Sequence, residues 1–141
     1  MGWDGTGGPS RPFLMEVGMD LLAVGLGGLL GSVGRWRLGV WLSDLLPGLP
    51  AGTLVANVLA ALLIGFVGGL GLAGGMPERQ RLFWAVGLCG GLSTFSTFSS
   101  ETLQLLLAGS WAGALGNVTA NLLSCLLAVA AGMCLARLVS A

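Results

Sequence analysis

Three stretches of this chain, residues 53–77, 82–100 and 102–136, carry no charged side chain at all. A helix of about 20 predominantly apolar residues crosses the hydrocarbon core of a bilayer, so each stretch can fill one crossing. Only 9% of the 141 residues are charged and 55% are hydrophobic, whereas a soluble domain carries about a quarter of its residues charged to face water. A further apolar run at residues 21–34, between Asp20 and Arg35, supplies a fourth crossing. The chain is therefore predicted to be an all-α integral membrane protein of four transmembrane helices, at about residues 17–41, 51–72, 79–108 and 112–139, in a single domain over residues 17–141.

The few charges exclude several functions. Net charge is zero, from six arginines and six acids with no lysine, so no basic field draws in nucleic acid. Histidine is absent, which removes the commonest general base and metal ligand together. No nucleophile and base pair offers itself, and the chain is not expected to be an enzyme. Cys89, Cys125 and Cys134 are odd in number, widely spaced and set in apolar spans. They read as free thiols acting as small hydrophobes, not as a disulfide or metal framework.

Residues 1–12 are rich in Gly, Pro and polar side chains without periodicity, and a disordered leader over residues 1–16 is expected. In the first span, Gly27 and Gly31 have the small-xxx-small spacing that lets helix backbones approach closely. Arg35, near its far end, reads either as an arginine snorkelling to the interface or as the mouth of a pore that gathers anions. Leu46-Pro47-Gly48-Leu49-Pro50 ends this unit. The second span has two strongly polar side chains, Thr53 and Asn57, on one helical face, with Gly65 and Gly69 opposite. Asn57 then either glues two helices together or lines a path. Asn117, Asn121 and Cys125 form a stripe on the fourth span that is open to the same two readings.

The least ordinary stretch is Gly90-Gly91-Leu92-Ser93-Thr94-Phe95-Ser96-Thr97-Phe98-Ser99-Ser100-Glu101. It sets two helix-weakening glycines, six hydroxyls, two phenylalanines and a carboxylate where every polar group needs a partner. Irregular backbone at membrane depth is tolerated only where it is buried in protein or lines a water-filled cavity. The hydroxyls of Ser93 and Thr94 can bond to backbone in place of helix partners. The third helix is therefore predicted to break there, mid-membrane, and the stretch to be the working part of a transport path. Beyond the break, Phe95 and Phe98 share a helical face, as do Thr97 and Glu101.

Arg11, Arg79, Arg81 and Arg137 would lie on one side of the membrane, and Arg35 and Arg37 on the other. A four-to-two split, with the two close to a helix end, gives the positive-inside rule little to act on, and insertion in both orientations is expected.

Taken in order, Gly27-Gly28-x-x-Gly31-Ser32-x-x-Arg35-Trp36, then Gly52-Thr53-Leu54-x-x-Asn57, then Gly90-Gly91-Leu92-Ser93-Thr94-Phe95-Ser96-Thr97-Phe98 with Glu101, the chain resembles the Fluc/CrcB family of fluoride channels over essentially its whole length after the leader. The resemblance implies an antiparallel, dual-topology homodimer in the bacterial cytoplasmic (inner) membrane, surrounded by lipid, with two fluoride pores and a structural sodium ion on the two-fold axis. It implies that Asn57 and the rings of Phe95 and Phe98 contact fluoride, and that Thr53, Ser96, Thr97, Ser99 and Glu101 belong to the pore and its polar track. Arg35 would lie in the vestibule, Asn117 and Asn121 on the fourth-span wall of the pore. Backbone carbonyls of Gly90 and Ser93 from both subunits would hold the sodium. The chain departs from the family pattern at Ser93, where Thr is usual, and at Trp36, where Tyr is common. In the fourth span Asn117 replaces a Tyr and Asn121 a Ser.

These roles agree with the chemistry of the ions. Fluoride is small and strongly hydrated, so its path must replace water with donors, and amide N–H, hydroxyl O–H and the positive edge of a phenylalanine ring all qualify. A ladder of weak sites also lets the ion leave. Carbonyl oxygens around a helix break suit a hard cation. The expected function is passive, selective fluoride efflux. A small dual-topology exporter of drugs or cations would need a membrane-embedded acid in the first span, and residues 21–34 have none. A purely structural bundle leaves the two phenylalanines and two asparagines at matching depth without a purpose.

Overall fold

The structure, a computed structural model, describes residues 11–45, 50–72 and 74–140; the expectation for residues 1–10 lies outside them. Helix α1 is Arg11–Leu45, α2 Ala51–Leu72, α3 Glu78–Arg81, α4 Gly90–Leu92, α5 Phe95–Leu107 and α6 Trp111–Ser140, and a π-helical segment, Leu82–Cys89, joins α3 to α4. Four stretches are long and apolar enough to cross a membrane: Phe13–Ser43, Ala51–Leu72, Glu78–Leu107 and Trp111–Ser140. The architecture is thus all-helical with four spans, as predicted.

One boundary needs correcting. Residues 11–16, expected to belong to the disordered leader, form the first turns of α1. Pro12 stands in the first turn, where its missing N–H is not needed and its fixed φ suits the helix. Phe13-Leu14-Met15-Glu16 then offers neither Gly nor Pro to interrupt it.

Backbones meet at glycines. Helix α1 crosses the π-helical segment and α4 through Gly27 and Gly31 on one side and Gly87 and Gly91 on the other. A Cβ on Gly31 would lie 2.8 Å from the Leu92 nitrogen, and one on Gly87 2.7 Å from the Val24 oxygen. Helix α2 runs along α6, its most extensive partner, with Gly65 against Val129 and Gly132 against Leu62 and Phe66. Buried Ala56, Ala60, Ala61, Ala114 and Ala136 continue this small-residue core. Lipid tails are as apolar as leucine, so close backbone packing takes over the role that hydrophobic burial has in water. The large apolar side chains, such as Leu21, Leu22, Leu126, Leu127 and Leu138, face outward accordingly.

Helices α5 and α6 form a hairpin closed at Gly109, whose φ of 74° falls where a side chain would clash. Its three-residue connection brings α6 back antiparallel to α5. The interruption between α4 and α5 meets α1 through Arg35 and Gly91 and α2 through Asn57 and Thr94.

Candidate functional site

Between α4 and α5, Ser93 (φ −78°, ψ 152°) and Thr94 (φ −152°, ψ 114°) are extended. Neighbouring side chains take over the bonds that a continuous helix would have made. The Thr94 N–H, whose helical acceptor would be the Gly90 carbonyl, donates to Asn57 Oδ1 at 2.8 Å. The Thr97 N–H, whose helical acceptor would be the Ser93 carbonyl, donates to Thr94 Oγ1 at 3.2 Å, making Thr94 the N-cap of α5. Arg35 Nε donates to the Gly91 carbonyl at 3.0 Å. Ser93 turns both its N–H and its hydroxyl to the Cys89 carbonyl, at 2.9 and 2.8 Å. The Gly90 and Ser93 carbonyls are thus released from their helical donors.

Two clefts flank the interruption. One, of about 370 Å³, is lined by Asn57, Gly90, Ser93, Thr94 and Phe95, with Cys89 and Cys125 behind them. The other, of about 380 Å³, is lined by Arg35, Ser43, Thr53, Thr94, Thr97 and Glu101. Each has room for on the order of ten waters at about 30 Å³ apiece. Thr94 borders both.

The expected site residues fall into connected groups. Asn57 Nδ2 donates to Asn121 Oδ1 at 3.1 Å, and Asn121 Nδ2 to Asn117 Oδ1 at 3.1 Å. The asparagine stripe of α6 is therefore buried and turned toward α2 and α5. Thr53 Oγ1 donates to Glu101 Oε1 at 2.6 Å. Glu101 Oε2 is buried and has no hydrogen-bond partner among the described residues, an exception to the usual pairing of buried polar atoms. The hydroxyls of Ser96 and Thr97 lie 3.2 and 3.0 Å from Thr94 Oγ1. Ser99, exposed, turns its hydroxyl back to the Phe95 carbonyl at 2.8 Å. The Phe95 and Phe98 rings lie 5.6 Å apart, tilted by 50°, yet Phe98 is 9% exposed and Phe95 78%. Arg35, open to two readings from the sequence, is held inside the second cleft by its bond to Gly91.

Thr94, read from the sequence only as a hydroxyl bonding to backbone, and Thr102, absent from the sequence-based site, both belong to it geometrically. Thr94 supplies the cap and the N–H that Asn57 accepts. Thr102 accepts from Asn117 Nδ2 at 2.9 Å and donates to the Phe98 carbonyl at 2.8 Å. The hairpin carried a signal for the second, since Thr102 and Asn117 lie almost equidistant from Gly109 and so face each other across it. Cys89, Cys125 and Cys134 are free thiols. Among the described residues no three His, Cys, Asp or Glu side chains converge, so a cation here would have to rely on other oxygens.

Four apolar crossings with large leucines turned outward define a multi-pass membrane protein. Residues 22–133 match the family described as CrcB-like protein, Camphor Resistance (CrcB). The chain belongs to this family. It is 45% identical over 122 residues to the fluoride-specific ion channel FluC of Paraburkholderia xenovorans (strain LB400), covering 86% of this chain and 97% of the relative. Identity to FluC 2 of Symbiobacterium thermophilum is 48% over 118 residues, covering 82% and 96%. Identity to FluC of Pseudomonas putida (strain W619) is 40% over 115 residues, covering 81% and 91%.

Proposed function

We propose that the chain is a subunit of a fluoride-selective ion channel that lets fluoride leave the cell passively. The observation that carries this reading is the cluster of anion donors at the helix interruption, in a chain whose relatives bear the name fluoride-specific ion channel. Arg35 attracts the anion into its cleft by charge. The hydroxyls of Ser96 and Thr97 offer successive donors, while Thr53 and Ser99, whose O–H groups are given to Glu101 and to the Phe95 carbonyl, line the track. At the narrow point the Asn57 amide and the positive edges of Phe95 and Phe98 replace the hydration shell. Asn117 and Asn121 form the α6 wall. Glu101 holds Thr53 in place through the 2.6 Å bond.

The interruption at Ser93 and Thr94 breaks the third transmembrane helix mid-membrane, and the pore it serves is completed by a second copy. Phe95 supports this, since it leaves 78% of its surface uncovered beside the cleft that Asn57 and Thr94 border. The assembly is an antiparallel, dual-topology homodimer in the bacterial cytoplasmic membrane, with two pores that each draw on both subunits. Where the two interruptions meet on the axis, the Gly90 and Ser93 carbonyls of both chains hold a sodium ion. Their fit rests on the loss of both helical donors, to Asn57 and to Thr94, which leaves hard oxygen ligands with no other partner found among the described residues. The ion would supply a fixed positive charge that ties the two interrupted helices together.

An exporter driven by an embedded acid in the first span fits less well. The acids within Phe13–Ser43, Glu16 and Asp20, stand near its N-terminal end, and Asp20 is half-exposed and paired with Arg79 at 3.3 Å. Fluoride release from liposomes, followed with an ion-selective electrode, tests the proposal. Release of fluoride without chloride is expected. Equal release of chloride would overturn selectivity, and no release would leave a structural bundle.

A further inference from the structure

The polar side chains of α2, α5 and α6 form one continuous hydrogen-bonded chain whose direction is fixed at both ends. It begins at the Thr94 N–H, a backbone group that can only donate, and finishes at the Phe98 carbonyl, which can only accept. In between, each oxygen accepts and each side chain passes a donor on. Asn57 gives Nδ2 to Asn121, Asn121 gives Nδ2 to both the side-chain and the main-chain oxygen of Asn117, Asn117 gives Nδ2 to Thr102, and the Thr102 hydroxyl closes the chain. A carboxamide alone has no preference between its two planar orientations. In this chain, turning one of them would set oxygen against oxygen and NH2 against NH2, and bonds linked in series reinforce one another.

Fixing the direction has a chemical result at Asn57. Its oxygen is committed to Thr94, and one of its N–H groups to Asn121. The other is only loosely held, 3.5 Å from the Thr94 carbonyl, which is too long for a firm bond. Asn57 borders the Phe95 cleft, so this N–H is the one an anion there can take.

We infer that Thr102 and Asn117 are positioning residues: without touching the anion through Thr102, the pair fixes the Asn57 carboxamide in the orientation that offers its free N–H and holds the Thr94 N–H out of the helix. This deepens, and rests on, the fluoride-channel reading above. Thr102 is the member whose loss tests it most cleanly, because its hydroxyl alone joins Asn117 to the obligate acceptor.

Thr102→Val keeps the shape and removes the hydroxyl, while Thr102→Ser keeps the hydroxyl. In liposomes carrying the full-length chain, fluoride release should fall about tenfold in T102V, the equivalent of one buried hydrogen bond, and return in T102S. Hydrogen–deuterium exchange of the Thr94 amide, at the far end of the relay, should quicken in T102V and revert in T102S. If T102V does not assemble, Thr102→Ala is read in the same way. Unchanged Thr94 exchange in the variant overturns the relay, whatever the flux does. Faster exchange with unchanged fluoride release overturns its control of the anion donor. If the unmodified chain releases no fluoride, the channel reading fails, and Thr94 exchange alone still decides whether Thr102 orients Asn57.

Discussion

Phe95 and Phe98 stand one turn apart with rings in contact, and one is covered while the other is bare. Under the proposed function both rings act through their edges, so an aliphatic side chain of similar bulk removes the quadrupole and leaves the packing. Phe95→Ile and Phe98→Ile are each expected to abolish fluoride release while the assembly, followed by size-exclusion chromatography, stays intact; normal transport in both would take the rings out of the mechanism. Thr53 makes a different prediction. It is the only hydrogen-bond donor found for Glu101 among the described residues, and Glu101 Oε2 already lacks one. Thr53→Val leaves both oxygens without a donor and should destabilise the protein by about 1–3 kcal/mol, whereas Thr53→Ser should not. Thermal unfolding in detergent separates the two. The polar residues of the site were visible in the sequence because each is an anomaly in an apolar span. Their partners were not, since spacing along one helix carries no record of which neighbouring helix an amide will face.

At the level of elements, the glycine spacings foretold close approach and the structure supplies the partners: Gly27 and Gly31 meet Gly87 and Gly91, while Gly65 meets Val129. The contacts distinguish adjacent residues. A Cβ on Gly31 would press on the backbone of Leu88, Gly91 and Leu92, but one on Gly28 would find its nearest neighbour 3.9 Å away. Gly31→Ala should therefore cost about 1–3 kcal/mol through overpacking. Gly28→Ala should be close to neutral, and equal shifts in the unfolding temperature of the two variants would refute this account of the crossing. The α2 limits followed from composition alone, because Pro50 and the glycine-rich turn after Leu72 punctuate both ends. The winding of Leu82–Cys89 did not. A π-helical turn holds more residues than an α turn, so faces counted at 3.6 residues per turn drift over this segment, and nothing in an all-apolar run marks where the count changes.

For the molecule as a whole, the arginines divide four to two, and two of the four are neutralised locally, Arg79 by Asp20 and Arg81 by Glu78. A reporter fused to the C-terminus is expected to be active from both sides of the membrane, and activity from one side only would refute dual topology. Replacing sodium with a large organic cation during purification should lower the thermal stability and fluoride release of the reconstituted assembly together, with both restored by sodium. Indifference of both to sodium would remove the cation from the axis.

The Thr94 N–H has a bearing on how such a protein can evolve. By accepting it, Asn57 both shapes its own amide and frees the Gly90 carbonyl. A replacement at position 57 that cannot accept a hydrogen bond takes this acceptor from the Thr94 N–H. Under the proposed function, altered anion preference and weakened cation binding would then arise from the same codon. In a deep mutational library, substitutions at Asn57 should group with those that disturb Gly90, and a lineage acquiring a new anion specificity would have to change a residue other than Asn57 first.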